Sequence, residues 1–173
     1  DSVKERFRAG ISYISDDRHG DSLVMDMTVE DNLILRDFDR QPFSRNMVLD
    51  YRQAEKRARE ALDEYSIKTS GKSGIKTPVK LMSGGNQQKV ILSREISEEA
   101  GLIVASQPTR GLDIGATQFV HETLLRQRDA GRCVLLISAD LDEILGVSDR
   151  VAVMYEGRII GILNRDEADV HKI

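Results

Sequence analysis

The segment Leu81-Met82-Ser83-Gly84-Gly85-Asn86-Gln87-Gln88-Lys89-Val90 joins a hydroxyl and two glycines to the opening of a helix. Those residue types in that order suit an anion. The first backbone N–H groups of a helix point outward without partners, paired glycines let a phosphate approach the backbone, and Ser83 adds a hydroxyl donor. A Ser-Gly-Gly string by itself reads equally well as a serine N-cap on a glycine-rich turn.

The longer string separates the two readings. Residues 81–90 resemble the signature sequence of ATP-binding-cassette (ABC) proteins, and the Asn-Gln-Gln-Lys-Val continuation resembles the second cassette of sugar-importer ATPases. Other segments agree in order and spacing. Gln107-Pro108-Thr109-Arg110-Gly111-Leu112-Asp113-Ile114-Gly115-Ala116 resembles the end of a Walker B motif followed by a D-loop, and Ser138-Ala139-Asp140-Leu141-Asp142-Glu143 falls where that family has its switch histidine. Ser148-Asp149-Arg150 and Glu156-Gly157-Arg158 match the strands that usually follow, so the resemblance runs from about Gly10 to Leu163. It implies nucleotide contacts at Ser83, Gly84, Gly85 and Gln88, with Asp113 coupling two sites. ATP and Mg²⁺ are the implied cofactors, in a full-length dimeric assembly.

The same alignment exposes departures. Catalytic members end an apolar strand in Asp-Glu, the Asp holding Mg²⁺ and the Glu polarising the attacking water. Here those positions are Ser106 and Gln107. Serine is a weak, uncharged metal ligand and glutamine cannot take the proton of water. Ala139 replaces the switch histidine and Asp16 the Q-loop glutamine, although a carboxylate at Asp16 can still touch metal or water. No catalytic set is intact, and Asp17 and Arg18 are expected to form a loop salt bridge. The phosphate-cradling pattern G-x-x-x-x-G-K-[ST] is absent. Gly71-Lys72-Ser73 repeats only its last three residues, behind a helical pattern rather than a strand. The chain is therefore expected to be truncated before the Walker A strand and helix.

Composition narrows the alternatives. The sequence has 173 residues, 31% of them charged, a net charge of -4 and 5% aromatics, which fits one domain or a piece of one and argues against a nucleic-acid partner. One cysteine, Cys133, builds no disulfide framework and is expected to be a buried thiol beside Val134–Ile137. His19, His121 and His171 lack metal-ligand spacing, so no metal site is expected. No apolar run reaches the roughly 18 residues that span a bilayer.

These residues need elements to position them. Residues 8–14 read as entry into a strand, 15–22 as a polar loop, and Thr28 as the cap of a helix to Leu35 with Asp31 in its first turn. Residues 36–48 read as irregular and 66–78 as loop. Asp50–Tyr65 is an amphipathic helix with Tyr51, Ala54, Ala58, Ala61, Leu62 and Tyr65 on one face. Asn86–Ser97, Ile114–Ala130 and Asp140–Val147 read as helices, Leu102–Ala105 and Cys133–Ile137 as strands, and residues 150–163 as a hairpin around Glu156-Gly157. Alternating strands and helices imply an α/β fold with a mainly parallel sheet. By resemblance this is a P-loop NTPase-like ABC core, with residues 1–28 and 98–173 in the α/β part and about 29–97 in a helical signature subdomain.

The implied function is the nucleotide-binding domain of an importer of simple sugars or nucleosides, its own site degenerate and its signature completing the partner cassette's ATP site. Residues 105–111, Ala-Ser-Gln-Pro-Thr-Arg-Gly, look closer to the nucleoside importers. The implied partners are a second nucleotide-binding domain, membrane permease subunits and, indirectly, an extracytoplasmic binding protein. Its place is then the cytoplasmic face of the cell membrane, with residues 27–33 facing the permease. A regulatory nucleotide-sensing module and a soluble non-transport cassette ATPase remain as alternatives.

Overall fold

The structure is a computed structural model that describes residues 2–69, 71–96 and 100–169. Asp1, Ser97 and His171, which figured in the expectations above, lie outside these.

Ser2 accepts the Glu5 amide and opens α1 (Val3–Arg8), which turns through Gly10 (φ 83°) into β1 (Ile11–Ile14). Arg8 is thus the last residue of a helix, not the start of a strand. Thr28 caps α2 (Val29–Ile34), and its hydroxyl and Asp31 satisfy each other's backbone N–H groups in a capping box. The segment expected to be irregular carries a two-residue ladder, β2 (Ser44–Arg45) with β3 (Val48–Leu49), before Asp50 caps α3 (Tyr51–Glu64). Ala54, Ala58 and Ala61 of α3 are buried as their spacing requires, whereas Tyr51, in the first turn, is 56% exposed and stands outside the stripe.

Next comes α4 (Gly84–Glu95), beginning two residues before the expected start because both glycines lie inside its first turn. β4 (Leu102–Ser106), α5 (Ile114–Asp129) and β5 (Cys133–Ile137) form a strand–helix–strand unit, followed by α6 (Leu141–Val147) and a hairpin of β6 (Arg150–Tyr155) and β7 (Arg158–Asn164).

β1, β4 and β5 make a parallel sheet in the order β1-β4-β5, with Ile14 opposite Ala105 and Ala105 opposite Leu136. Their carboxyl ends therefore share one edge. A single core joins Ile14, Ile103 and Ala105 of the sheet to Val90, Ile91 and Leu92 of α4 and Val120 and Leu124 of α5. Buried Glu95 ion-pairs with Arg36 and Arg94, and Arg94 also donates to the carbonyls of Asn32 and Ser22, fixing the end of α4 to α2 and to the segment after β1. Cys133 is exposed, not buried, because it opens β5, where alternate residues face outward. Among the described residues no helix is long and apolar enough to cross a membrane.

Candidate functional site

Ser83 is the N-cap of α4, extended at φ -65° and ψ 154°, and its Oγ accepts from the Asn86 amide (3.4 Å) and the Asn86 side chain (2.9 Å). Its hydroxyl proton stays free to donate. The N–H groups of Gly84 and Gly85 meet no acceptor among the described residues, so the helix start presents two open backbone donors and a hydroxyl, backed by the positive end of the helix dipole.

The two glycines serve different needs. A Cβ on Gly84 would meet nothing closer than 3.9 Å, from Arg18 Nη2 and Leu112, while one on Gly85 would lie 2.8 Å from the Ala116 methyl. Gly84 keeps the outer face bare; Gly85 lets α4 approach the start of α5. Gln88 is 1% exposed and its amide atoms have no hydrogen-bond partner among the described residues. It therefore faces the interior rather than the open end of the helix. Its neighbour Gln87 is also buried, donates to the Val79 carbonyl (3.0 Å) and lies 3.1 Å from His19 Nε2, tying the loop after β1 to the signature helix. Nothing in sequence spacing signals that contact.

Asp113 caps α5, its Oδ1 accepting the Ala116 amide at 2.8 Å, and its Oδ2 lies 3.8 Å from where a Gly85 Cβ would stand. Ile114 follows it at 88% exposure.

At the carboxyl edge of the sheet, Asp16 follows β1, Ser106 ends β4 with Gln107 just beyond it, and Ala139 follows β5. This is the edge where open α/β sheets bind ligands. Gln107 holds a left-handed φ of 45°, its amide donating to the Ile137 carbonyl at 2.7 Å and its carbonyl accepting from Arg110. The donors offered by Ser106 and Gln107 carry no charge, and among the described residues no three His, Cys, Asp or Glu side chains group to hold a metal. The chain's own strand ends do not fit a resident Mg²⁺.

A cavity of about 410 Å³ lies beside this edge, lined by Asp16, Asp17, Arg18, His19, Arg110 and Gly111. The Asp17–Arg18 salt bridge does not form. Asp17 instead accepts the amides of His19 (3.1 Å) and Gly20 (2.8 Å), closing a π-helical turn over Arg18–Ser22. The Gly20 bond foremost holds its carboxyl below the ordinary value. Arg18 is pressed below its ordinary value by burial. A larger hollow between the β2–β3 hairpin and the start of α3 lies away from all these groups.

The profile of the ABC transporter family matches residues 1–110. The chain is 45% identical over 159 residues, 92% of its length, to the guanosine import ATP-binding protein NupO of Bacillus subtilis, and covers 31% of that protein. It is 44% identical to the nucleoside import ATP-binding protein NupA of Lactococcus lactis (89% of this chain, 30% of that one). It is 37% identical to the ribose import ATP-binding protein RbsA of Clostridium tetani (99% and 33%). The chain thus spans about a third of the curated relatives it matches. Among solved structures, a dimeric ATP-binding cassette in a post-hydrolysis state bound to ADP and Pi superposes with a TM-score of 0.72 at 19% identity, over 95% of this chain and 68% of that one. A nucleotide-free cassette from an ABC transporter superposes with a TM-score of 0.73 at 21% identity, over 95% and 64%. The fold is that of ABC ATPase cassettes, α/β with a parallel sheet.

Proposed function

The chain belongs to the ABC transporter family, and from that premise we propose that it is the later part of a degenerate second cassette in the ATPase of a nucleoside or simple-sugar importer. The single observation that carries this is a contrast within one molecule. The start of α4 keeps Ser83, Gly84 and Gly85 with their donors open, while the sheet edge carries Ser106, Gln107 and Ala139, which lack the charge and the proton acceptor that hydrolysis needs. Such a cassette donates its signature to nucleotide held by a partner cassette and contributes little hydrolysis at its own site.

In this reading Ser83 and the amides of Gly84 and Gly85 hold the terminal phosphate of the partner's ATP, where aligned donors stabilise negative charge without reorganisation. Gln88 is excluded from direct contact by its burial, and Asp113 stands at the face shared with the partner. An exposed Ile114 beside it suits a covered surface. Asp16 remains available to water or metal brought in with nucleotide. Permease subunits and an extracytoplasmic binding protein complete the importer, and placement at the cytoplasmic membrane face follows from them. The 45% and 44% identities to guanosine and nucleoside import proteins favour nucleosides over other sugars.

The test is Gly84→Asp in the complete ATPase. Loss of turnover with ATP still bound supports donation of the signature. Unchanged turnover sinks it and leaves the regulatory nucleotide-sensing module as the better account.

A further inference from the structure

The cavity beside the sheet edge contains two cations that the signature reading has not used. Arg18 Nη2 lies 3.5 Å from where a Cβ on Gly111 would stand and 3.9 Å from the same point on Gly84. The guanidinium is thus wedged between two bare stretches of backbone, one opening the signature helix and the other following β4. Gly111 has a left-handed φ of 69°, a conformation that side chains other than glycine seldom adopt, and the missing side chain leaves Arg18 its room. Arg110 lines the same cavity from the neighbouring position.

The carboxylates nearby do not neutralise these cations. Asp17 is committed to the amides of His19 and Gly20, Asp21 accepts the Ser15 hydroxyl, and Asp113 caps α5. Asp16, exposed on the cavity wall, makes no hydrogen bond or ion pair among the described residues. Neither Arg18 nor Arg110 has a carboxylate oxygen within 4.0 Å among the described residues. A half-buried guanidinium without an ion-pair partner, beside open helix N–H donors, is matched by an oxyanion that accepts from both at once.

We propose that Arg18, seconded by Arg110, binds the terminal phosphate of the nucleotide held against Ser83 and Gly84. This rests on the signature-donating reading and adds a cationic residue from the loop after β1 to it. Arg18 reaches the phosphate from the side of Gly111, so the anion is held between the loop after β1, the start of α4 and the turn after β4. Burial holds Arg18 below its ordinary pKa, and the opposite charge of a bound anion would offset that penalty.

The experiment compares Arg18→Gln, Arg18→Lys and Gly84→Asp in the complete ATPase. Three quantities are measured besides thermal melting: the KM and the kcat for ATP, and the concentration of a non-hydrolysable ATP analogue that half-closes the assembly, read by energy transfer between labels on the two cassettes. Losing one charge-assisted contact should raise both the KM and the half-closing concentration about tenfold for Arg18→Gln, with Arg18→Lys recovering part of each at an unchanged melting temperature. If Gly84→Asp blocks closure while Arg18→Gln closes and turns over like the parent, the inference fails and the signature reading stands. If Gly84→Asp closes normally, the reading fails and takes the inference with it. If Arg18→Gln lowers the melting temperature and its KM and half-closing concentration return to the parent's values well below that temperature, Arg18 is a structural residue and the inference is overturned. Added inorganic phosphate separates the two possible sources of the anion: an Arg18 effect on phosphate inhibition alone, with KM unmoved, overturns the assignment to nucleotide.

Discussion

Gly85 and Ala116 are locked against each other: a side chain begun on Gly85 would stand 2.8 Å from the Ala116 methyl, closer than carbon atoms pack. Glycine at this position is therefore a requirement of helix packing within the cassette, whatever lies outside it. Replacing it with alanine should force the starts of α4 and α5 apart and cost about 1–3 kcal/mol, as overpacking does. Gly84→Ala, whose Cβ would meet nothing nearer than 3.9 Å, should stay within about 0.5 kcal/mol of the parent. Denaturant midpoints of the two variants check this, and equal values would remove the constraint.

That asymmetry decides which glycine tests the signature. Asp at position 85 mixes a steric clash with a charge, whereas Asp at 84 adds charge without a clash, beside Arg18 as well as beside the open amides. We expect Gly84→Asp to lower ATP turnover of the complete ATPase by at least about a hundredfold, since like charges at short range in a partly dry interface cost several kcal/mol. Gly84→Asn, similar in size and uncharged, should lose far less. Equal losses for Asp and Asn would assign the effect to bulk.

The strand end should resist simple repair. Ser106→Asp combined with Gln107→Glu restores a metal ligand and a base, yet Ala139 still offers no side-chain donor just beyond β5. Turnover of the complete ATPase should not double, and steady-state rates per mole of protein check it.

Asp17 sets a pH dependence of known sign. Its carboxyl is held below the ordinary value foremost by the Gly20 amide and then by that of His19. The depressed value means that the ionised carboxylate closes the turn fully above about pH 4, the usual carboxylate range, and releases it as pH falls through the lowered value. The protection of the His19 and Gly20 amides, taken against the intrinsic exchange rate at each pH, should therefore fall in acid. Asp17→Ala should show that loss of protection already at neutral pH, and full protection in this variant would deny the cap.

Much of the architecture is legible in the sequence. Thr28 and Asp31 announce α2 because a capping box is a local chemical pattern, and the alanine spacing of α3 reports the face it buries. What escapes is contact between distant segments. The burial of Gln88, the His19–Gln87 contact, the position of Arg18 against Gly111 and the committed state of Asp17 all depend on how the loop after β1 folds onto α4, which no periodicity encodes. Cys133 misleads for a related reason: an apolar run suggests a strand with both faces covered, yet the residue that opens β5 faces outward.

The parallel register that sets Ile14, Ala105 and Leu136 side by side makes Asp16, Gln107 and Ala139 neighbours just beyond the ends of their strands. None of the three belongs to the packed interior. Reactivity in this scaffold can thus drift away one loop residue at a time while folding proceeds undisturbed. Under the proposed two-cassette arrangement the chemistry of one cassette can be retired while its shape is inherited, because α4 and α5, which would carry the surface offered to a partner, pack into the interior and Asp16, Gln107 and Ala139 do not.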